Sequence, residues 1–236
     1  MRSSIWAELR SWCASIGYGA VSAARKPLLA ALVWVPVAAG AQEVRVLALG
    51  DSLTAGYGLP EGEGFVPVLQ DWLEDKGYSA EVVNAGVSGD TTAGGLARLD
   101  WALSSEPDAA IVALGGNDLL RGIDPTASRA NLDGILSRLR EEGIEVLLVG
   151  LEAPGNYGAA FQQAFDEMYP ALAAEHDALH EVSFLGPLTA ELPMQEARAR
   201  YLQADGIHPN AEGVEVIVDA LGPRVAELVE RVEPGS

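Results

Sequence analysis

The chain has 236 residues, with 34 acidic and only 15 basic side chains, and its formal net charge is −19 at pH 7. So acidic a protein repels phosphate backbones and offers no basic patch to anionic lipids. These properties argue against nucleic acid as a partner and against stable attachment to a membrane surface. With a single cysteine, Cys13, the chain contains no internal disulfide.

The first predicted element is an N-terminal targeting segment. Arg25 and Lys26 precede a short apolar stretch that closes on the small-residue triplet AGA, which is the order of features in a secretory signal. The stretch is shorter than the roughly 20 residues that span a bilayer. We therefore predict a signal segment over residues 1–41, cleavage after Ala41 and a periplasmic or secreted location. The mature chain, 42–236, is predicted to form one domain with a net charge of −22, since the signal segment carries four basic residues and one acidic residue.

The mature chain is predicted to begin with a strand, a helix and a second strand. The runs VRVLALG at 44–50 and AEVVNAG at 80–86 are short, rich in branched aliphatic residues, and end on glycine. Between them, apolar residues three and four positions apart over 65–73 predict a helix with one apolar face. Strands of such uniform apolarity are typical of a parallel sheet that is covered on both sides.

The same alternation continues through the middle of the chain. A third strand is predicted at AAIVALG, 109–115, and a fourth at EVLLVG, 145–150. The helix between them is predicted to start at Asp124-Pro125, because aspartate caps helices and proline suits their first turn. Apolar residues over 132–139 follow at helical spacing. Each strand is thus connected to the next through a helix.

A fifth strand is predicted at 179–185, and a long last helix carries one apolar stripe over 214–232. Alternating strands and helices place the chain in the α/β class. We predict a three-layer α/β/α sandwich with a central, mostly parallel five-stranded sheet and right-handed crossovers.

Small and ionisable residues follow the predicted strands at the edge where parallel sheets bind their ligands. Ser52 follows the first strand, Gly89 the second and Asn117 the third. Asp205 and His208 come shortly before the last helix. Four separate segments are therefore predicted to converge at one edge of the sheet, and this convergence is the main functional signal in the sequence.

These residue types fit acyl transfer by a serine nucleophile. The hydroxyl of Ser52 is a poor nucleophile until a base removes its proton. His208 is the histidine predicted to reach it, because the following proline favours an extended backbone there, whereas His176 and His180 fall in a helix and a strand. Asp205 is predicted to bind the imidazole and fix its tautomer.

The tetrahedral intermediate of acyl transfer needs hydrogen-bond donors for its oxyanion. Candidates are the backbone N–H groups of Ser52 and Gly89 and the side-chain amide of Asn117. Losing one such donor typically raises the barrier by about 2.7–4 kcal/mol. With His208 as base, kcat/KM is predicted to rise with pH in the imidazole range, about pH 6–7. We find no further His or Cys cluster to complete a zinc site, and predict neither metal nor cofactor.

Each segment taken alone also has a plain structural interpretation. Serine after a strand commonly caps a helix, and Gly-Gly-Asn is typical of a turn. The stretch DGIHPN can be a helix entry with Asn210 as its cap. It is their joint occurrence at predicted strand ends that favours a catalytic site.

The blocks GDSL, SGDT, GGND and DGIHPN, in this order, resemble those of the SGNH, or GDSL-type, hydrolases. The resemblance covers nearly the whole mature chain. It implies a flavodoxin-like fold and an esterase that uses an acyl-enzyme without metal or cofactor. Within the family the chain is most similar to bacterial periplasmic esterases that act as thioesterase, lysophospholipase and arylesterase. In these the segment matching 151–158 borders the acyl site, which makes Asn156 and Tyr157 candidates for contact with the acyl chain; an ordinary turn explains them equally well.

We therefore expect a monomeric serine esterase that hydrolyses small, aryl or lipid-like carboxylic esters. Coenzyme A thioesters are polyanionic and intracellular, so neither the charge of the chain nor its signal segment favours them. Two alternatives remain open. A carbohydrate deacetylase, which the same resemblance covers, would prefer acetyl over longer chains. A non-catalytic binding protein of the same fold would keep its activity after Ser52→Ala.

Overall fold

The computed structural model describes residues 43–232; the predicted signal segment and its cleavage site lie outside this range. Its central sheet contains five strands: β1 (Val44–Gly50), β2 (Ala80–Gly86), β3 (Ala109–Ala113), β4 (Glu145–Val149) and β5 (Leu179–Glu181). The strand order is β2-β1-β3-β4-β5, and every neighbouring pair is parallel. The predicted α/β class and five-stranded parallel sheet are therefore confirmed.

Helices cover the sheet on both faces. Those in the described range are α1 (Ser52–Ala55), α2 (Phe65–Asp75), α3 (Thr92–Ala97), α4 (Leu99–Ala102), α5 (Gly116–Leu120), α6 (Pro125–Glu141), α7 (Ala159–His176), α8 (Met194–Tyr201) and α9 (Ala211–Val232). Helix α9 packs against α2 and α8, whereas α6 packs against α3 and α7. Within the described residues, three 3-10 turns lie at Leu103–Ser105, Gly155–Tyr157 and Gly186–Thr189. Between residues 43 and 232, no helix has both the length and the apolarity needed to cross a membrane.

Helix α6 shows how local sequence sets these elements. The Asp124 side chain caps it by accepting a hydrogen bond from the Thr126 N–H at 2.8 Å, and Pro125 occupies the first turn. The predicted apolar stripe is fully buried against the sheet: Leu132, Ile135, Leu136 and Leu139. The predicted start and the predicted buried face of this helix are both confirmed.

The fifth strand is shorter than the sequence predicts. It ends at Glu181 and does not reach residue 185. Phe184 turns into the core, where its ring lies 4.9 Å from that of Phe65 and its N–H donates to the Gly150 carbonyl at 2.9 Å. Val182 is left 61% exposed. Burying Phe184 therefore ends the strand early. Strands β3 and β4 also stop before their predicted glycine ends.

Gly222 in α9 packs against the indole ring of Trp72 in α2. A Cβ atom at residue 222 would lie 2.6 Å from Cε2 of that ring. We expect Gly222→Ala to lower the free energy of unfolding by about 1–3 kcal/mol, the usual cost of overpacking, although alanine favours a helix. The control is Gly134→Ala in α6, where the new Cβ would lie 3.3 Å from the flexible end of Leu96. Urea unfolding of both variants tests this, and equal stabilities would contradict it.

Candidate active site

Ser52 lies at the carboxyl end of β1, on the first residue of the one-turn helix α1. Asp51 caps that helix, and Gly56, with φ of 77°, ends it after one turn. The strand ends on Gly50 because a side chain there has no room: a Cβ would lie 2.0 Å from Thr54 Oγ1. This turn leaves the Ser52 hydroxyl half-buried at the edge of the sheet.

His208 connects Ser52 to Asp205. Its Nε2 atom lies 2.8 Å from Ser52 Oγ, and its Nδ1 atom lies 2.6 Å from Asp205 Oδ2. A carboxylate only accepts hydrogen bonds, so Nδ1 carries the proton that Asp205 binds. In the neutral imidazole, Nε2 then accepts a hydrogen bond from the Ser52 hydroxyl. Ser52 and His208 are 156 residues apart in the chain, and the fold brings them into direct contact.

Asp205 is held as a carboxylate by three hydrogen bonds. Besides the imidazole, its Oδ1 accepts the backbone N–H groups of Ile207 at 2.9 Å and His208 at 3.1 Å. These bonds lower the pKa of Asp205 to about 2. The bond with the His208 ring contributes most, and the bond with the Ile207 N–H contributes next. The charged carboxylate is favoured because each donor binds it more strongly than the neutral acid. Asp205 therefore stays ionised at any pH near neutrality.

Asn117 lies on α5, directly after the end of β3. The chain leaves the strand through Gly115, whose φ of 124° favours glycine and whose Cβ would lie 2.2 Å from the Tyr169 hydroxyl oxygen. That hydroxyl donates to the Leu114 carbonyl at 3.0 Å. The Asn117 amide in turn donates from Nδ2 to Asp51 Oδ2 at 3.2 Å. Asn117 thus contacts the residue that immediately precedes Ser52.

Gly89 lies on the exposed loop that follows β2. Its φ of 86° requires the freedom of glycine, and its carbonyl accepts a hydrogen bond from Arg121 Nη2 at 2.8 Å. The next residue, Asp90, binds Arg98 Nε at 2.5 Å, and Arg98 Nη2 also donates to the Gly50 carbonyl at 2.9 Å. Two arginines therefore tie the Gly89 loop to the ends of β1 and α5.

The sequence over residues 48–216 matches the GDSL-like lipase/acylhydrolase family. The chain belongs to this family. It is 40% identical over 200 residues to esterase TesA of Pseudomonas aeruginosa, covering 84% of this chain and 95% of that protein. It is 37% identical to thioesterase 1/protease 1/lysophospholipase L1 of Escherichia coli K12, covering 78% and 84% of the two chains. The crystal structure of the SGNH-hydrolase family esterase AlinE4 superposes with a TM-score of 0.64 at 44% identity, covering 82% of this chain and 98% of that one. The predicted family resemblance is confirmed, and the protein is an ester-hydrolysing enzyme.

Two residues that the GDSL-type resemblance suggested, Asn156 and Tyr157, lie on the 3-10 turn before α7. Asn156 is exposed. The Tyr157 ring packs on Phe161, with centroids 4.8 Å apart, and lies close to Gly122 after α5. Neither side chain is hydrogen-bonded to Ser52, His208 or Asp205.

The other two histidines of this GDSL-family chain lie apart from Ser52. His176 ends α7, where its Nε2 lies 2.7 Å from Asp133 Oδ1 on α6. His180 lies in β5, and burial lowers its pKa. The structure therefore brings only His208, of the three histidines, into contact with the serine.

Sequence reasoning missed Gln203, which holds the His208 loop in place. Its backbone N–H donates to the His208 carbonyl at 2.8 Å. Its side-chain amide donates to two carbonyls, that of Tyr57 at 2.7 Å and that of Pro209 at 2.9 Å. The Tyr57 ring lies 4.6 Å from the imidazole of His208. An uncharged glutamine two residues before Asp205 carries no local signal of this role.

Sequence reasoning also missed Asp118, the last residue of the GGND block. It is fully buried and accepts hydrogen bonds from the Thr92 N–H at 2.8 Å, the Thr92 hydroxyl at 2.6 Å and the Ser128 hydroxyl at 2.8 Å. These contacts join α3, α5 and α6. Asp118 therefore fixes the helix that carries Asn117.

Proposed function

We propose that this enzyme hydrolyses small, aryl or lipid-like carboxylic esters through an acyl-enzyme on Ser52. The observation that carries the proposal is the hydrogen-bonded series Ser52–His208–Asp205 at the carboxyl edge of the sheet. Such a series supplies a nucleophile, a base and a group that orients the base, which are the parts that acyl transfer needs. The catalytic domain in this proposal is the mature chain, 42–236.

In the first half-reaction, Ser52 Oγ attacks the carbonyl carbon of the ester while its proton passes to His208 Nε2. The ionised Asp205 stabilises the resulting imidazolium. The carbonyl oxygen becomes an oxyanion, for which we propose the N–H groups of Ser52 and Gly89 and the Asn117 amide as donors. The bond to the leaving alcohol then breaks, and the alcohol takes the proton from Nε2.

In the second half-reaction, water attacks the acyl group on Ser52. His208 Nε2 again accepts a proton, now from the water, and the same donors bind the second oxyanion. When this intermediate collapses, the carboxylic acid leaves and the proton returns to the Ser52 oxygen. The cycle consumes one ester and one water and releases one acid and one alcohol.

The choice of substrate class is supported by charge and by the relatives. The names of the relatives indicate esterase, thioesterase and lysophospholipase activities in those proteins. A mature chain of net charge −22 disfavours the approach of polyanionic coenzyme A thioesters. Neutral aryl esters, short acyl esters and zwitterionic lysophospholipids fit better. We propose that the mature enzyme acts as a monomer in the periplasm or outside the cell.

Hydrolysis of p-nitrophenyl esters from acetate to palmitate tests this proposal. The parent enzyme is expected to hydrolyse esters longer than acetate, and the Ser52→Ala variant is the matched control. Hydrolysis confined to acetate would favour a carbohydrate deacetylase instead. Equally slow hydrolysis by both proteins would overturn the catalytic assignment and favour a binding protein.

A further inference from the structure

Asp51 is a buried carboxylate that the mechanism above does not use. Asp51 lies between β1 and α1, and the residue is only 2% exposed. One oxygen, Oδ1, accepts the Leu53 N–H at 3.0 Å and so caps α1. The other oxygen, Oδ2, accepts the Nδ2 amide of Asn117 at 3.2 Å, across 66 residues of sequence.

Capping alone does not account for a buried carboxylate. Other helices in the chain have simpler caps: the Thr91 hydroxyl caps α3, and the exposed Asp124 caps α6. Burying a carboxylate is unfavourable unless hydrogen bonds compensate for the lost water, and burial raises the pKa of Asp51. The helix cap uses only Oδ1, so the burial of Oδ2 has to be compensated separately. The hydrogen bond from Asn117 provides that compensation.

Neighbouring residues leave room for this contact. The residue before Asn117 is Gly116, and a Cβ there would lie 3.0 Å from Asp51 Oδ2. Its φ is not in the left-handed region, so the absence of a side chain reflects space and not backbone conformation. The second glycine of the GGND block thus allows the Asp51 carboxylate to reach the Asn117 amide.

We propose that Asp51 is a positioning residue that fixes the orientation of the Asn117 amide; this rests on the proposed function, in which that amide binds the oxyanion. A carboxylate only accepts hydrogen bonds, so it selects the NH₂ end of the amide and rejects the carbonyl end. One N–H of Nδ2 is used by Asp51. The other has no acceptor within residues 43–232 and stays available to the substrate. Without Asp51, rotation by half a turn would present the amide oxygen to the developing negative charge.

Asp51→Asn tests the proposal with almost no change in size. The new side chain has one accepting and one donating end, so it cannot accept from both Leu53 and Asn117. We expect kcat for p-nitrophenyl butyrate to fall by about 10²-fold, the lower end of the loss caused by removing an oxyanion donor. KM is expected to change by less than about threefold, since the contact acts in the transition state.

A double-mutant cycle separates positioning from a general structural effect. In an Asn117→Ala background, which itself is expected to lose roughly 10²–10³-fold in kcat, adding Asp51→Asn is expected to cost less than about threefold more. Equal losses from Asp51→Asn in both backgrounds would overturn the proposal, because Asp51 would then act independently of Asn117. An unchanged kcat in the parent background would overturn it as well.

Asp124→Asn is the matched control. It makes the same substitution at another helix cap, on α6, and is expected to leave kcat unchanged. If Asp51→Asn does not fold, Gly116→Ala gives a second test: its Cβ displaces the Asp51 carboxylate by a few tenths of an ångström while both partners remain. It is expected to lower kcat and leave KM unchanged, and an unchanged kcat would contradict the proposal. Failure of the proposed function is distinguishable, since Ser52→Ala would then retain activity.

Discussion

Replacing Ser52 with alanine is expected to lower kcat/KM for p-nitrophenyl butyrate by roughly 10⁴–10⁶-fold, the range found when a serine hydrolase loses one residue of its triad. The variant keeps the imidazole and the oxyanion donors but has no atom that can form the acyl-enzyme. The Ser52 hydroxyl is hydrogen-bonded to His208 and caps no helix in the described structure. The melting temperature is therefore expected to stay close to that of the parent.

Ser183→Ala is a suitable control for this result. The Ser183 hydroxyl also lies after a strand, where it accepts the Gly186 N–H at 3.0 Å, and its loss is expected to affect stability but not kcat. A phosphonate ester that reacts with nucleophilic serines adds a direct readout by mass spectrometry. The parent and Ser183→Ala are expected to gain one phosphonyl group. Labelling of Ser52→Ala at the same rate would refute the assignment of the nucleophile.

Replacing His208 with glutamine is expected to lower kcat/KM by a similar factor, roughly 10⁴–10⁶-fold. Glutamine keeps a polar side chain near Ser52 Oγ but cannot accept and return a proton near neutral pH. The control is His176→Gln, which alters the contact with Asp133 between α6 and α7 and is expected to leave kcat unchanged. Comparable losses in the two variants would show that histidine replacement acts through stability and not through the reaction.

The pH profile of the parent enzyme completes this prediction. The pKa of Asp205 is about 2, below its ordinary value of 3.8, so this carboxylate contributes stability above about pH 4 that is lost only as the pH falls towards 2. Because Asp205 is already ionised, the part of the profile in which kcat/KM rises with pH reflects one ionisation, that of the base. We expect kcat/KM to rise with pH along one limb of unit slope and then to level off, because a protonated imidazole cannot act as a base. A flat profile, or a limb twice as steep, would contradict the assignment.

Local spacing predicted the elements of the fold well. The strand at 44–50 and the strand at 80–86 agree with the structure residue by residue, and the buried stripe and capped start of α6 were both predicted. The predicted end of β5, residue 185, was wrong. The actual end depends on Phe65, a distant residue against which Phe184 packs. Periodicity records which face of an element is buried, but it carries no information about which distant side chain fills that space.

The candidate site likewise combines residues that local sequence reveals with contacts that depend on distant residues. Ser52, His208 and Asp205 could be singled out because their chemistry is specific and they follow or precede predicted elements. Gln203 could not, since its partners are backbone carbonyls, one of them 146 residues away. Asp51 was visible beside Ser52, yet its contact with Asn117 depends on β1 and β3 being neighbours in the sheet. Such contacts depend on the order of the strands in the sheet, and the spacing of residues along the sequence does not reveal that order.

The amide of Gln203 has a consequence for recombination between related genes. It donates to the carbonyl of Tyr57, just after the first helix, and to that of Pro209, beside the base. In a chimera that takes its N-terminal half from one parent and the His208 loop from another, Gln203 and the Tyr57 carbonyl come from different parents. Crossovers between residues 57 and 203 will therefore yield active proteins mainly when the parent that supplies the His208 loop carries this glutamine and the other parent has the same backbone path at Tyr57.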